Sequence, residues 1–198
     1  SHATVGTYVF PSDISKLPAV EGQIEKIKST IDKVERGKII PCVSLSHTLG
    51  DSITPLASVD LIRYQALRHL MDGAAGFDFW GLGHIEDGRY YHLVSYLSTI
   101  FAKTECYIMN GNQVNPFVIF SGKEEKANIH VATWEKGDSY LVIIANGNNE
   151  SKKLTINVTD KSYQGKSIQG LFNEDYGTLG QEITIEIPAF DAAFFTIY

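Results

Sequence analysis

The stretch "GAAGFDFWGLGH", residues 73–84, sets an acid and a tryptophan two positions apart between glycines and ends in a histidine. Read as a strand, it puts Asp78 and Trp80 on one face and Phe77 and Phe79 on the other. Its flanks support that reading. Residues 58–72 before it carry Leu61, Ala66, Leu67, Leu70 and Met71 as the apolar stripe of a helix. After it, the loop "LGHIEDGR" leads to a third helix, 90–103, with Leu93, Val94, Leu97, Ile100 and Phe101.

The same alternation extends back to the N-terminus. "TVGTYVF" (4–10) is a β-rich run. Val20, Ile24, Ile27, Ile31 and Val34 then follow at steps of four, three, four and three, which puts them on one helical face, with Gly37 as the expected C-cap. "KIIPCVSL" (38–45) is the next strand, weakened by Pro41, which removes a ladder donor. Three strand–loop–helix units in succession imply a parallel sheet with right-handed crossovers. Ligands in such sheets bind at the carboxyl ends of the strands. The loops there, 11–18, 46–57 and 81–89, hold Asp13, His47, Asp51, His84, Glu86 and Asp87.

From about residue 115 the helical period disappears. β-rich runs alternate with the hairpin signals Lys136-Gly137-Asp138 and Asn146-Gly147-Asn148-Asn149. In "EITIEI", Ile183, Ile185 and Ile187 fall on one face and Thr184 and Glu186 on the other. Six or seven short strands of this kind predict an antiparallel sandwich. The expected fold class is therefore α/β plus all-β, with residues 1–114 forming βα units and 115–198 a β-sandwich.

Composition narrows the function classes. The 198 residues are 43% hydrophobic and 20% charged, and the net charge of −6 leaves no basic stripe for nucleic acid. No run approaches the roughly 20 apolar residues of a membrane span. The N-terminus lacks the basic and apolar regions of a signal peptide, and the first residue need not be the natural start. Cys42 and Cys106 exclude a disulfide framework and any Cys-x-x-Cys metal site. They are expected to be unbridged, since Cys42 belongs to a strand and Cys106 follows the last helix. The sequons Asn149-Glu-Ser and Asn157-Val-Thr point to an extracellular or cell-surface location.

The order of three segments, "GAAGFDFWGLGHIEDGRYYHLVSYLSTIFAKTE", "CYIMNGNQVNPFVIF" and "IHVATWEKGDSYLVIIANGNNESKKLTINV", resembles the closing part of glycoside hydrolases that join a (β/α)8 (TIM) barrel to a C-terminal β-sandwich. In that resemblance a Gly-rich last strand ends in an aromatic residue at the floor of the sugar site. Glu105, Tyr107, Ile108 and Gly111 fit the segment that follows the last helix. The resemblance implies that the three units are the last βα units of the barrel, that a carbohydrate is the partner, and that another chain or a cleaved segment supplies the missing strands. The competing architecture is a three-stranded α/β layer packed directly on the sandwich.

Glycosidic cleavage needs two carboxyl groups flanking the bond. In the large retaining clan the nucleophile is a glutamate ending the seventh strand, and "KIIPCVSLSH" has no acid there. Asp78 is the catalytic candidate, with a structural acid and a sugar ligand as its other readings. Trp80 is read as a stacking platform for a pyranose ring or as a core aromatic. His47 and Asp51 either bind a sugar hydroxyl together or cap their own loop, and His84 belongs to a polar loop lip. Nothing fixes a metal geometry for His84, Glu86 and His92, and Gly81-Leu-Gly83 lacks the rest of a dinucleotide fingerprint, so no metal and no cofactor are expected. Two function classes follow. One is a glycoside hydrolase-like protein or fragment that acts on or binds an oligosaccharide at the carboxyl ends of the strands. The other is a non-catalytic sugar-binding or architectural cell-surface protein.

Overall fold

The computed structural model describes residues 3–6, 12–34, 39–45, 57–82, 85–120, 127–158, 163–180 and 183–198. The chain divides into two compact units, Ser1–Ala102 and Lys103–Tyr198.

The first unit holds strand β1 (Ala3–Gly6), helix α1 (Leu17–Ile31), strand β2 (Ile39–Ser44), helix α2 (Val59–Met71), strand β3 (Asp78–Trp80) and the start of helix α3 (Gly88–Asn110). The strands pair in parallel in the order β1-β2-β3. The Asp13 carboxylate accepts from the Ser15 backbone N–H at 2.8 Å and opens the turn that leads into α1. Val20, Ile24, Ile27 and Ile31 are buried as the spacing predicts, and Ile27 and Ile31 pack with Ile39, Ala74 and Val5. Val34 does not join them and is 42% exposed. Helix α1 ends at Ile31, after which the Lys33 and Val34 N–H groups bond back to the Thr30 and Ile31 carbonyls. This tighter winding turns Val34 off the stripe. Gly37 lies outside the described residues.

Pro41 stands in the central strand. The Leu45 N–H donates to the Trp80 carbonyl, and the Ile39 carbonyl accepts from Ala75, so the odd-numbered residues of β2 bond toward β3. The missing Pro41 donor therefore faces the β3 side one residue below the first ladder pair, Cys42 with Asp78. No bond of the ladder is lost there.

Helix α2 is buried on nearly every side, and the burial takes in Tyr64, Gln65, Arg68 and His69 as well as its apolar stripe. Ser58 caps it through Leu61 N–H. The Tyr64 hydroxyl donates to Glu21 at 2.5 Å, and Arg68 donates to Glu21 at 3.2 Å and to the Tyr64 oxygen at 2.9 Å. Glu25 lies 3.5 Å from the same guanidinium. A buried cation needs such partners to offset its lost hydration. On the next residue, the two ring nitrogens of His69 meet no hydrogen-bonding group among the described residues. Burial holds that ring neutral, with its pKa lowered to about 3. Burial also raises Asp72 to about 7, against the opposing pull of Lys28 at 4.0 Å.

Helix α3 runs seven residues beyond the 90–103 expected from its period. Thr104, Tyr107 and Ile108 continue the buried face past Leu97 and Ile100, so the segment expected to follow the helix is its last two turns. Cys106 accordingly lies inside the helix and is exposed; neither it nor Cys42 is in a disulfide.

The second unit continues with nine strands among the described residues, where the sequence suggests six or seven. These are β4 (Asn112–Val114), β5 (Val118–Phe120), β6 (Ile129–Lys136), β7 (Ser139–Asn146), β8 (Lys152–Val158), β9 (Ser167–Gly170), β10 (Asp175–Thr178), β11 (Ile183–Ile187) and β12 (Ala192–Ile197). They form a six-stranded sheet, β10-β9-β12-β7-β6-β4, and a three-stranded one, β11-β8-β5, antiparallel throughout. Val142, Ile144, Phe195 and Ile197 from the first sheet meet Leu154, Ile156, Ile183, Ile185 and Ile187 from the second in one core. Gly137, at φ +60°, supplies the left-handed turn between β6 and β7.

Gly111 explains the end of α3. A β-carbon there would stand 2.4 Å from the Tyr107 carbonyl oxygen and 2.5 Å from that of Glu135. Both obstacles are backbone, so neither gives way. Gly111→Ala should destabilise the second unit by about 1 to 3 kcal/mol, read as a lower urea midpoint.

The two titratable groups on α2 generate a pH test. An acid raised from 3.8 in the unfolded chain to about 7 in the fold costs stability progressively as pH rises from about 4 to 7. A histidine lowered from 6.5 to about 3 costs stability as pH falls through the same range. The two slopes oppose each other in the wild type. Asp72→Asn removes one of them, so its advantage over the wild type should grow by roughly 2 to 4 kcal/mol between pH 4 and 7.5. Urea denaturation at stepped pH measures this, and a difference that stays flat would contradict it.

Candidate functional site

Three parallel strands place their carboxyl ends on one edge of the first unit's sheet, and that edge is built from β2 and β3. Phe77 packs edge-on against Phe101 of α3, with ring centroids 6.1 Å apart, and lies 6.2 Å from Phe79. This fixes the direction of alternation. Phe77 and Phe79 turn to the helical layer, and Asp78 and Trp80 turn away from it. Asp78 is exposed and Trp80 is 50% exposed, so the tryptophan is not a core residue.

Register adds neighbours that no single strand shows. Cys42 pairs with Asp78 and Ser44 with Trp80, and paired residues of parallel strands project from the same face. The face away from the helices thus carries two levels. Cys42 and Asp78 form the lower one, and Ser44 and Trp80 form the upper one at the strand ends. Among the described residues of β1, β2 and β3, Asp78 is the sole carboxylate, and no ion pair to it occurs among them. The Cys42 thiol is half-buried, and its pKa is raised by that burial and by the Asp78 charge.

The remaining loop residues divide. His47, Asp51 and His84 lie outside the described residues. Asp13 is taken up by its capping bond to Ser15, which, with Ser12 and Lys16, holds its carboxyl below the usual range. Asp87 accepts from the Arg89 backbone at 2.9 Å and pairs with its guanidinium at 2.6 Å, so it caps the first turn of α3. Glu86 and His92 are exposed. Among the described residues no three His, Cys, Asp or Glu side chains are placed to hold a metal, and no helix is long and apolar enough to cross a membrane. Reading single strands missed Cys42 and Ser44, because each falls beside the pair on β3 only through the β2–β3 register.

No protein-family model matches the chain, and no curated protein does. Solved structures match over most of its length. A putative α-N-acetylgalactosaminidase from Bacillus halodurans superposes with a TM-score of 0.60 at 11% identity, covering 96% of this chain and 46% of its own. A β-L-arabinopyranosidase of glycoside hydrolase family 27 from Geobacillus stearothermophilus, in complex with arabinose, gives 0.59 at 12% identity, covering 98% and 44%. An α-amylase from Geobacillus thermoleovorans, complexed with acarbose, gives 0.54 at 12% identity over 71% and 33%. The chain therefore spans between a third and a half of the length of these structures. At such identities the likeness is one of fold: the chain has the fold of TIM-barrel glycoside hydrolases with a C-terminal sheet domain, comprising barrel βα units followed by an antiparallel sandwich.

Proposed function

We propose that the carboxyl edge of β2 and β3 is a carbohydrate-binding edge of a glycoside hydrolase-like protein. The observation that carries this reading is Trp80, half-exposed at the end of a barrel strand with the exposed Asp78 carboxylate on the same face. An indole presents a flat apolar surface that suits the C–H face of a pyranose ring, and a carboxylate accepts from sugar hydroxyls.

The chemistry favours binding over complete catalysis by these residues alone. Cleavage uses two carboxyl groups about 5 to 9 Å apart, and β1, β2 and β3 supply one among their described residues. Asp78 is in this reading a sugar ligand, or one member of a catalytic pair whose other member stands on a further strand. Further βα units, from the same polypeptide or another chain, would pair in parallel with the free edges of β1 and β3 and cover the face that carries Asp78. What supports this is the three-stranded sheet order and the share of the hydrolase structures that the chain spans. The non-catalytic reading, a sugar-binding or architectural protein at a cell surface, keeps the same edge and drops the second acid. The two sequons are what favour an extracellular setting.

Trp80→Ala tests the edge. Calorimetric titration with arabinose and with acarbose should show binding weakened by about 1 to 3 kcal/mol, on the scale of stacking against an aromatic ring. The melting temperature should change little, because half of the ring already faces solvent. A large loss of stability with unchanged binding would remove Trp80 from the site, and a wild-type chain that binds neither sugar would overturn the proposal.

A further inference from the structure

Nothing in the sequence around Cys42 marks it as functional; it has no Cys-x-x-Cys partner and no catalytic signature beside it. The fold gives it a particular place. Cys42 stands in register with Asp78, on the face that carries Asp78 and Trp80. Its thiol donates to the Asp78 carboxylate, and its sulfur accepts from the Trp80 backbone N–H. One half-buried side chain therefore touches both residues of the candidate edge.

We propose that Cys42 is a positioning residue, whose thiol ties the Asp78 carboxylate to the end of β3 that presents Trp80. The proposal rests on reading that edge as carbohydrate-binding. An exposed carboxylate on a three-residue strand is otherwise free to sample several rotamers, and each one given up on binding costs affinity. A neighbouring donor selects one of them in advance. A thiol is a weak donor, but a bond to an ionised acceptor is stronger than a neutral one. The pair is also self-consistent in charge. Burial and the Asp78 carboxylate both disfavour the thiolate, so the sulfur keeps the proton that it donates.

A thiol that merely fills space is best replaced by an apolar residue, whereas one that positions by donating is best replaced by a hydroxyl. The first experiment follows alkylation by iodoacetamide across a pH series, with the exposed Cys106 as internal reference. Cys42 should react severalfold more slowly than the exposed Cys106 at pH 8, because burial and the Asp78 carboxylate both disfavour its thiolate. Asp78→Asn should shift the Cys42 profile to lower pH and leave that of Cys106 in place. An unchanged Cys42 profile would overturn the coupling. The second experiment titrates arabinose into Cys42→Ser, Cys42→Val and Cys42→Ala. The serine variant should stay within about twofold of the wild type, while valine and alanine should bind about fivefold more weakly, the loss expected for one hydrogen bond. A valine variant that binds like the wild type would overturn the positioning role and leave the carbohydrate reading standing. If Trp80→Ala and all the Cys42 variants bind as the wild type does, the edge itself is wrong, whatever the alkylation profiles show about the pair.

Discussion

The packing of Phe77 against Phe101 of α3 sets which way strand β3 faces. Strand β3 has three residues and makes few ladder bonds of its own, so its orientation comes from the phenylalanines on either side of Asp78. Once Phe77 faces α3, the period of two leaves Asp78 and Trp80 no choice of side. Reversing the alternation would bury a carboxylate under helices and expose two phenylalanines, a penalty of several kcal/mol on both counts. The candidate edge is in this sense a by-product of hydrophobic packing.

Helix α2 shows how much polar chemistry such a layer can hold without a functional site. Arg68 is buried between helices with Glu21 and Tyr64 as hydrogen-bonding partners, while His69 and Asp72 are buried with their charge suppressed. The guanidinium cannot shed its proton, so it must be paired; the imidazole and the carboxyl instead adjust their protonation. Perturbed titration by itself therefore does not distinguish an active site from a crowded helix. The geometry does, since these groups lie on α1 and α2, whereas the strand ends hold an exposed acid and an exposed aromatic ring on one face.

Likeness to hydrolases as different as an amylase and an arabinopyranosidase argues for a common frame on which different sugar chemistries are mounted. In the proposed function a sugar approaches at the carboxyl edge of the strands. The frame does not choose the reaction, which depends on which carboxylates stand there and how far apart. On the described residues of β1, β2 and β3 there is one, and its immediate neighbour is a thiol.

Much of the architecture was legible in the sequence. The spacing of Val20, Ile24, Ile27 and Ile31 announced a helix face, and the alternation in "EITIEI" announced a half-buried strand, because in both cases burial follows a short local period. The segment-order resemblance pointed to a hydrolase barrel with a sandwich, and the fold agrees. Local period was silent on three matters. It did not show that α3 continues through Tyr107 and Ile108, or that Val34 turns off its helix, since helix ends are set by the last turns' bonding and by close approaches such as that of Gly111 to Glu135. It did not show that a proline-bearing strand takes the centre of the sheet, because the cost of Pro41 depends on what lies opposite its missing donor. Nor did it bring Cys42 to Asp78. Alternation along one strand is written in that strand, but which residue stands beside it is a matter of register between strands 36 positions apart, and only tertiary packing decides that.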